Sequence, residues 1–582
     1  MLDGGTTRRR FVIAALASLA AVKAQAEEPT AEEPVGTGIT DDTMASAERL
    51  ADVHYTPAER QQMLESLDEH LETLRARRAF APPMSLAPAQ VFDPRLPGRT
   101  YGPEQTGVHP SQVRTRLPTE PADIAYAPLT HLSHWLRKGK LTSVRLTELY
   151  LERLERLGPD LQCVITLTRD LALEQARAAD AELAAGQWRG PLHGVPWGAK
   201  DLLDTAGIST TWGATPYRDR VPESDAAVVR ALREAGAVLL AKLTTGALAY
   251  GDLWFDGQTR NPWNPEEGSS GSSAGPAAAV AAGLVGFALG TETLGSIVSP
   301  SMRCGVTGLR PTFGRVSRAG AMPLCWSLDK IGPMARAVED TVLVLDALRG
   351  ADLADPSALE MPLAFDASTP VAGLRVGYDP AWFEEDATDL DRAVLDMLRS
   401  AGVVLHEVSI PELPYDALYL VLLAEAAAAH EAITLDGRDD QLVWQDADAW
   451  PNSFRLARFI SAVDLVQADR LRRRVMVAFD ELFQSVEALV SPSYAGPLLL
   501  ATNYTGHPSL TLRVGFEEVP TRIWPPSLAE GREPDPTPHR VPHAITLWGR
   551  LFDEGTLCRL GMAIETTAGV AWERPPMLDG GP

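Results

Sequence analysis

The feature that most constrains the fold of this chain is an alternation of helical segments and short apolar segments that starts near Pro128. Residues 142–157 and 172–185 read as helices. Residues 226–234 read as another helix, and Val238-Leu239-Leu240-Ala241 follows as a continuous apolar run, which is typical of a buried strand. This alternation favours an α/β fold, and 582 residues are enough for one very large domain or for several ordinary ones.

The first 26 residues have the pattern of an export signal that is removed from the mature protein. Arg8-Arg9-Arg10-Phe11 resembles a twin-arginine signal, an apolar run continues to Val22, and Ala24-Gln25-Ala26 is a small-x-small cleavage site. The apolar run of about 12 residues is too short to span a bilayer. We therefore expect a periplasmic or secreted protein without stable membrane insertion. The alternative is a cytoplasmic protein with a basic N-terminus.

Residues 27–123 are predicted to form an extension ahead of the α/β region, and it begins with an acidic leader. Residues 57–79 predict an amphipathic helix that docks on the main body, because apolar side chains recur there at helical spacing: Met63, Leu64, Leu67, Leu71 and Leu74. The rest of the extension is rich in proline and irregular. Near the C-terminus, residues 516–542 hold seven prolines and are predicted to form a long surface loop.

Composition limits the partners and the chemistry. The formal net charge is −24, and it becomes −27 without residues 1–26, which hold four basic residues and one acid. A surface this acidic opposes binding to nucleic acid and to anionic lipid. The four cysteines form no C-x-x-C pair, so buried free thiols are favoured over a zinc or redox site. No cofactor and no metal are expected.

The chemically informative stretch is Gly268–Gly308, which reads GSSGSSAGPAAAVAAGLVGFALGTETLGSIVSPSMRCGVTG. Pro276 lies in the first turn of a short helix that ends near Ala282, and Leu284–Leu289 reads as a buried strand. A turn of small residues follows, and a helix is predicted to begin at Ser296. Backbone N–H groups at such a strand-to-helix turn lack partners within the helix, so they can bind an oxyanion. Ser296 is therefore a candidate for attack on a carbonyl.

A serine hydroxyl becomes a good nucleophile only when a base takes its proton. None of the 11 histidines falls in a motif connected with Ser296, so lysine is the other option, as in serine–lysine enzymes. Lys200 follows an apolar, glycine-rich run, His193–Ala199, that contains no other cation. Burial would lower the pKa of this amine from about 10.4, although the adjacent Asp201 could oppose the shift.

These segments together resemble the amidase signature family. Gly271-Ser272-Ser273-Ala274-Gly275 matches its serine-rich loop, and Gly295-Ser296-Ile297 matches its nucleophile loop. Lys200 precedes Ser272 by 72 residues, and Ser272 precedes Ser296 by 24. The resemblance covers residues 124–575 and includes Thr210-Thr211-x-Gly213, Asn261-Pro262-Trp263, Gly308-Leu309-Arg310-Pro311-Thr312 and Asn503-x-x-Gly506-x-Pro508.

The resemblance implies a single large α/β/α catalytic domain over residues 124–582, with a central mixed β-sheet covered by helices. It also implies hydrolysis of the C–N bond of a small-molecule carboxylic amide through an acyl-enzyme. Ser296 would be the nucleophile, Ser272 the proton relay and Lys200 the base. The backbone N–H groups of Thr293, Leu294, Gly295 and Ser296 would form the oxyanion hole. Gly271 would precede a cis peptide bond at Ser272, and Ser273 would hydrogen-bond to the relay.

Three positions near the nucleophile depart from the family pattern, which often has Asp, two glycines and Arg there. Glu292 keeps a carboxylate, but Val298 replaces its arginine partner, and Leu294 adds bulk beside the oxyanion hole. The three catalytic residues are kept. The departures therefore bear on the choice of substrate more than on activity.

Other functions are compatible with parts of this pattern. An amidotransferase A-type subunit that modifies glutamyl-tRNA shares the signature, but it works in the cytoplasm, which the export signal argues against. A non-catalytic binding protein would need none of Lys200, Ser272 and Ser296. Gly271-x-Ser273-x-Gly275 also fits a nucleophile elbow, which needs a strand directly before it, and Asn261–Pro265 is a poor strand. The oligomeric state is left open, with a homodimer as one arrangement.

Overall fold

The structure is a computed structural model, and it describes residues 38–80, 82–384, 387–525, 528 and 536–576. The expected export signal and most of the acidic leader lie outside the described residues. The chain divides into two compact units, residues 1–81 and 82–582. The sequence-based boundary at residue 124 stays a prediction. Within the described ranges, no helix is both long enough and apolar enough to cross a bilayer.

Among its described residues, the first unit contains the helices α1 (Asp41–Ala51), α2 (Pro57–Leu64) and α3 (Leu67–Ala79). The prediction of one continuous helix over residues 57–79 is wrong, because Ser66 leaves the helical conformation at φ −112° and ψ 3°. Thr56 starts α2, since its hydroxyl accepts from the Glu59 N–H and its own N–H donates to the Glu59 carboxylate. Docking of this segment on the main body stays a prediction.

The second unit is built on a large mixed sheet. Its strands and those of three small two-stranded sheets are β1 (Gly107–His109), β2 (Val164–Leu167), β3 (Pro196–Lys200), β4 (Val238–Leu243), β5 (Leu253–Trp254), β6 (Gly257–Gln258), β7 (Arg260–Asn261), β8 (Asn264–Gly268), β9 (Phe287–Glu292), β10 (Thr307–Arg310), β11 (Lys330–Ala335), β12 (Ala364–Asp366), β13 (Arg375–Tyr378), β14 (Val404–Glu407), β15 (Ala488–Pro492), β16 (Ser509–Val519) and β17 (His539–Gly549). The eleven-stranded sheet has the order β14-β13-β15-β17-β16-β10-β11-β9-β3-β4-β2. Strand β3 is parallel to both β4 and β9, whereas β9 and β11 are antiparallel. The predicted α/β fold with a central mixed sheet is confirmed.

Helices lie around this sheet; those within residues 419–505 pack in two smaller apolar clusters, and the others pack in one main core. The helices are α4 (Pro121–Ala125), α5 (Leu129–Arg137), α6 (Ser143–Leu161), α7 (Arg169–Ala184), α8 (Ala227–Glu234), α9 (Ala274–Ala281), α10 (Val298–Cys304), α11 (Val338–Leu348), α12 (Asp389–Ser400), α13 (Tyr419–Ala429), α14 (Glu431–Leu435), α15 (Trp450–Leu456), α16 (Ala462–Ser485), α17 (Leu498–Thr505) and α18 (Glu554–Ala568). The predicted helices 142–157, 172–185 and 226–234 correspond to α6, α7 and α8. All six residues of β4 are buried, as the apolar run predicted. The four cysteines are free and buried.

The expectation of a loop over residues 516–542 is wrong at both ends. Strand β16 continues to Val519 and pairs antiparallel with β17, where Phe516 lies opposite Pro542. Proline is tolerated there because β15 pairs with β17 only from Ile545 onward, so one edge of β17 needs no N–H donor at Pro542. The proline content of this segment misled the prediction.

Candidate active site

The candidate site lies where two parallel strands end. Strands β3 and β9 are neighbours, with Ala199 opposite Leu289, and they end at Lys200 and Glu292. In α/β sheets, ligands bind beyond the carboxyl ends of parallel strands. The segment after β9 carries Ser296, and the segment before α9 carries Ser272. The sequence segments that predicted the site are therefore brought together.

Lys200 is fully buried and surrounded by hydroxyl groups. Its Nζ lies 2.9 Å from Ser272 Oγ, 3.1 Å from Ser273 Oγ and 2.8 Å from Thr291 Oγ1. No carboxylate lies within ion-pair distance of Lys200 in the part of the chain that the structure describes. Burial lowers the pKa of Lys200 well below its usual value, and the more distant charges of Asp329 and Glu292 oppose the shift only in part.

Asp201 does not act on Lys200 as the sequence suggested. Its carboxylate accepts from the backbone N–H and the hydroxyl of Thr211 at 2.7 and 2.6 Å, and it pairs with Lys242 at 3.1 Å. Lys242 also donates to the Thr210 hydroxyl at 2.6 Å. Adjacent residues of an extended strand point to opposite faces, which separates Asp201 from Lys200. The Thr210-Thr211 motif therefore holds a buried ion pair.

The serine-rich loop fits closely against neighbouring backbone. The peptide bond between Gly271 and Ser272 is cis, as the resemblance implied. A side chain at Gly271 would place its Cβ 1.8 Å from the Gly251 carbonyl oxygen, so only glycine fits. Ser273 Oγ accepts from the Thr291 N–H and donates to the Thr291 carbonyl, both at 3.0 Å. Ser273 therefore fixes the loop to strand β9.

The segment Thr293–Ser296 presents four consecutive backbone N–H groups. None of them donates a hydrogen bond within the described residues. Gly295 has φ +88°, a conformation that favours glycine, and Leu294 is half-buried against a second apolar cluster. An oxyanion hole requires backbone N–H groups that lie together and have no other hydrogen-bond acceptor.

Ser296 is joined to the serine-rich loop through backbone. The Ser273 N–H donates to the Ser296 carbonyl at 3.1 Å. The Ser296 side chain is 8% exposed, so it lies at the edge of the buried cluster. Among the described residues, no hydrogen bond joins the hydroxyls of Ser272 and Ser296. The structure thus brings Lys200 and Ser272 into contact and places Ser296 beside them.

Glu292 has an arginine partner, and the expectation that Val298 leaves it without one is wrong. The Arg310 guanidinium lies 2.7 Å from Glu292 Oε1. The N–H groups of Ile297 and Val298 donate to Oε2 at 2.8 and 3.0 Å, and Asn503 donates to Oε1 at 2.9 Å. Burial alone would raise the pKa of Glu292, but these partners hold it at about 2. The charged carboxylate therefore fastens both ends of the turn that carries Ser296.

Several functional neighbours were not singled out from the sequence. Thr291 contacts Lys200, and Asp329 accepts from the Thr293 hydroxyl at 2.6 Å. Arg310 was noted only as part of the motif Gly308-Leu309-Arg310-Pro311-Thr312, without a role in the site. Asp329 lies far along the chain from Thr293, so no local pattern could have indicated the contact. No cluster of three or more metal-ligating side chains occurs among the residues described.

Comparison with known proteins identifies the family. Residues 145–558 match the family described as Amidase. The chain belongs to this family. A peptide amidase of Stenotrophomonas maltophilia with a crystal structure is 30% identical to this chain, with a TM-score of 0.66 over 78% of this chain and 100% of that one. The fold and the resemblance to amidase signature enzymes are therefore confirmed.

Sequence relatives include components of an amidotransferase. The A subunit of the glutamyl-tRNA(Gln) amidotransferase of Roseiflexus sp. is 33% identical over 467 residues, which cover 74% of this chain and 94% of that protein. The corresponding protein of Moorella thermoacetica is 32% identical over 492 residues, with 78% of this chain and 99% of that protein covered. This chain is therefore longer than these relatives.

Proposed function

We propose that this amidase hydrolyses the C–N bond of a carboxylic amide through an acyl-enzyme on Ser296, with Ser272 as the relay and Lys200 as the base. The observation that carries the proposal is the setting of Lys200, a fully buried amine among hydroxyl groups. Burial of this kind favours the neutral amine, which has a lone pair for a proton. The unused N–H groups of Thr293–Ser296 supply the donors that the oxyanion needs.

The reaction follows from these contacts. Lys200 takes the proton of Ser272 while the Ser272 oxygen takes the proton of Ser296, and Ser296 Oγ attacks the carbonyl carbon. The oxyanion receives hydrogen bonds from the turn. The proton on Lys200 then returns through Ser272 to the leaving nitrogen, so that the C–N bond breaks and an amine departs. Water deacylates Ser296 by the same proton path and releases the carboxylic acid.

One hydrogen bond of the proposed relay has still to form before the first step. The hydroxyls of Ser272 and Ser296 are not hydrogen-bonded in the structure, so the proposed mechanism requires this contact to form when substrate binds. Catalytic hydrogen bonds are often long or poorly aligned in free enzymes and tighten in the Michaelis complex. The 2.9 Å contact between Lys200 and Ser272 already supplies the other half of the relay.

Turnover of an amide panel by purified protein tests the proposal. We expect Ser296→Ala and Ser272→Ala to lose at least about 1,000-fold in kcat/KM. Ser301→Ala is the matched control, because Ser301 is buried in the same turn-and-helix segment and its hydroxyl has no partner among the described residues. It should keep kcat/KM within about threefold. Unchanged turnover in Ser296→Ala would reject the assignment.

A second candidate is supported by the sequence relatives, whose printed names make them A subunits of an amidotransferase. In that case the chain would act with partner subunits. We favour a stand-alone amidase, as a monomer or a homodimer, that binds no nucleic acid, in line with the acidic net charge of −24. Chromatography and activity of the isolated chain separate the two, since a component of a larger complex would be inactive alone.

We also propose export to the periplasm or to the medium. Its support is the Arg8-Arg9-Arg10-Phe11 signal with the Ala24-Gln25-Ala26 cleavage site. Replacing the paired arginines with lysines should keep the full-length protein in the cytoplasm. N-terminal sequencing of the exported protein should begin at Glu27. A protein that stays cytoplasmic with its first residues intact would contradict export.

A further inference from the structure

Two cavities of the second unit are adjacent, and the inner one reaches the turn that is proposed to bind the oxyanion. The inner cavity, of about 290 Å³, is lined by Thr293 and by Thr291, which itself contacts Lys200. The outer cavity measures about 700 Å³. Their linings share four residues, which are Ala87, Arg318, Trp326 and Pro356. The two adjacent cavities are here together called the long cleft.

One side of the long cleft comes from a segment that precedes the family domain. Met84, Ser85 and Ala87 line the inner cavity, and the chain from Ala87 to Pro97 follows the outer cavity. The family match begins only at residue 145. Residues 84–97, here called the wall segment, therefore line the long cleft from outside the family match.

The wall segment is attached to the cleft by specific contacts. The Trp326 indole N–H donates to the Met84 carbonyl at 3.3 Å. The Phe92 ring lies 3.5 Å from the Arg472 guanidinium carbon and 5.0 Å, centroid to centroid, from the Phe313 ring. Cation–π and edge-to-face contacts of this kind hold a segment in one position. The wall is therefore a defined surface of the cleft.

The inner cavity suits an uncharged group. Arg318 pairs with Asp355 at 3.1 Å, and the Asp329 carboxylate accepts from Thr293 and from two backbone N–H groups. Burial lowers the pKa of Lys330 well below its usual value. Most of the remaining lining is apolar and includes Leu202, Ala249, Met322, Leu324 and Ile331. A cavity of roughly 150 Å³ can hold benzene, so about 290 Å³ accepts a group about twice that size.

We propose that the wall segment determines specificity and that this amidase acts on elongated amides. The substrate places an uncharged, mostly apolar group in the inner cavity, and its chain continues past Ala87 and Trp326 into the outer cavity. This inference rests on the proposed function, because it takes the scissile bond to lie at Ser296. A short amide fills only the space next to Ser296 and gains nothing from the wall.

The junction of the two cavities offers a direct test. Ala87→Trp narrows the cleft at one of the four residues that line both cavities. Ala89→Trp is the matched control, because Ala89 is exposed, lies two residues away and lines neither cavity. The substrates are a short amide and two elongated amides with the same scissile bond, one extended on the acyl side and one on the amine side.

We expect the wild type to prefer at least one elongated amide. Ala87→Trp should lower kcat/KM for that amide at least about tenfold and change the short amide less than about twofold, whereas Ala89→Trp should change neither. Equal effects of Ala87→Trp on all three substrates, or no effect on any, in a variant with a normal melting temperature would overturn the inference while the proposed function stands. A wild type that hydrolyses no amide would reject both.

Discussion

Lys200 and Lys242 are both fully buried lysines on neighbouring parallel strands, so replacing each with methionine separates a catalytic role from a structural one. Methionine has a similar length and removes the amine. Lys200 contacts hydroxyl groups, whereas Lys242 pairs with Asp201 at 3.1 Å. We predict that Lys200→Met loses activity and keeps its stability, whereas Lys242→Met loses stability.

The stability of the Lys200→Met variant follows from proton linkage. Burial holds the pKa of Lys200 well below its usual value in the folded protein, while the unfolded chain keeps a pKa near 10.4. Between the two pKa values the unfolded state binds more protons, so the lysine destabilises the fold by about 1.4 kcal/mol for each pH unit that the solution falls through this interval. Methionine removes that cost. We expect the free energy of unfolding at pH 7 to be unchanged or higher, with less dependence on pH above neutrality.

The Lys200→Met variant should lose most of its activity. Loss of a general base costs about 100- to 10,000-fold, or about 3–5 kcal/mol of barrier. Lys242→Met should instead lose about 3–5 kcal/mol of stability, because the buried carboxylate of Asp201 loses its positively charged partner. Kinetics on one amide and urea unfolding at several pH values measure both effects. A Lys200→Met protein that keeps activity within about tenfold, or unfolds as easily as Lys242→Met, would refute the reasoning.

Three further predictions follow from the site. The rate of acyl-enzyme formation should fall as pH drops through the pKa of Lys200, because only the neutral amine accepts a proton; a flat pre-steady-state profile down to about pH 5 would contradict this. Arg310→Met should destabilise the protein by about 3–5 kcal/mol by leaving Glu292 buried and unpaired, with Arg310→Lys recovering part of the loss in thermal unfolding. Gly271→Ala should reduce kcat at least about tenfold in the amide assay, because its Cβ would meet the Gly251 carbonyl at 1.8 Å; a normal kcat would show that the loop is free to shift.

The sequence predicted those parts of the structure that depend on local pattern. Strand β4 was visible as an apolar run, and the helices α6, α7 and α8 that precede it were visible from the sequence. The segments holding Lys200, Ser272 and Ser296 could be selected because glycine and small residues surround each of them. The cis peptide bond at Ser272 and the contact between Ser272 and Lys200 were implied only by the resemblance to a family.

Other contacts depend on the tertiary fold, which local pattern does not encode. Arg310 replaces the missing partner of Glu292 because β10 and β9 both flank β11, an arrangement that only the sheet order reveals. Asp201 pairs with Lys242 because adjacent strand residues face opposite sides. The wall segment 84–97 reads as an irregular proline-rich stretch, and its position in the cleft depends on Trp326 far along the chain.

Peptide mapping of the protein after reaction with a fluorophosphonate tests the central assignment most directly. We predict a single covalent adduct on the peptide that contains Ser296. The adduct should be absent from Ser296→Ala and should form far more slowly in Lys200→Met. An adduct that maps to another serine, or that persists in Ser296→Ala, would contradict the assignment of the nucleophile.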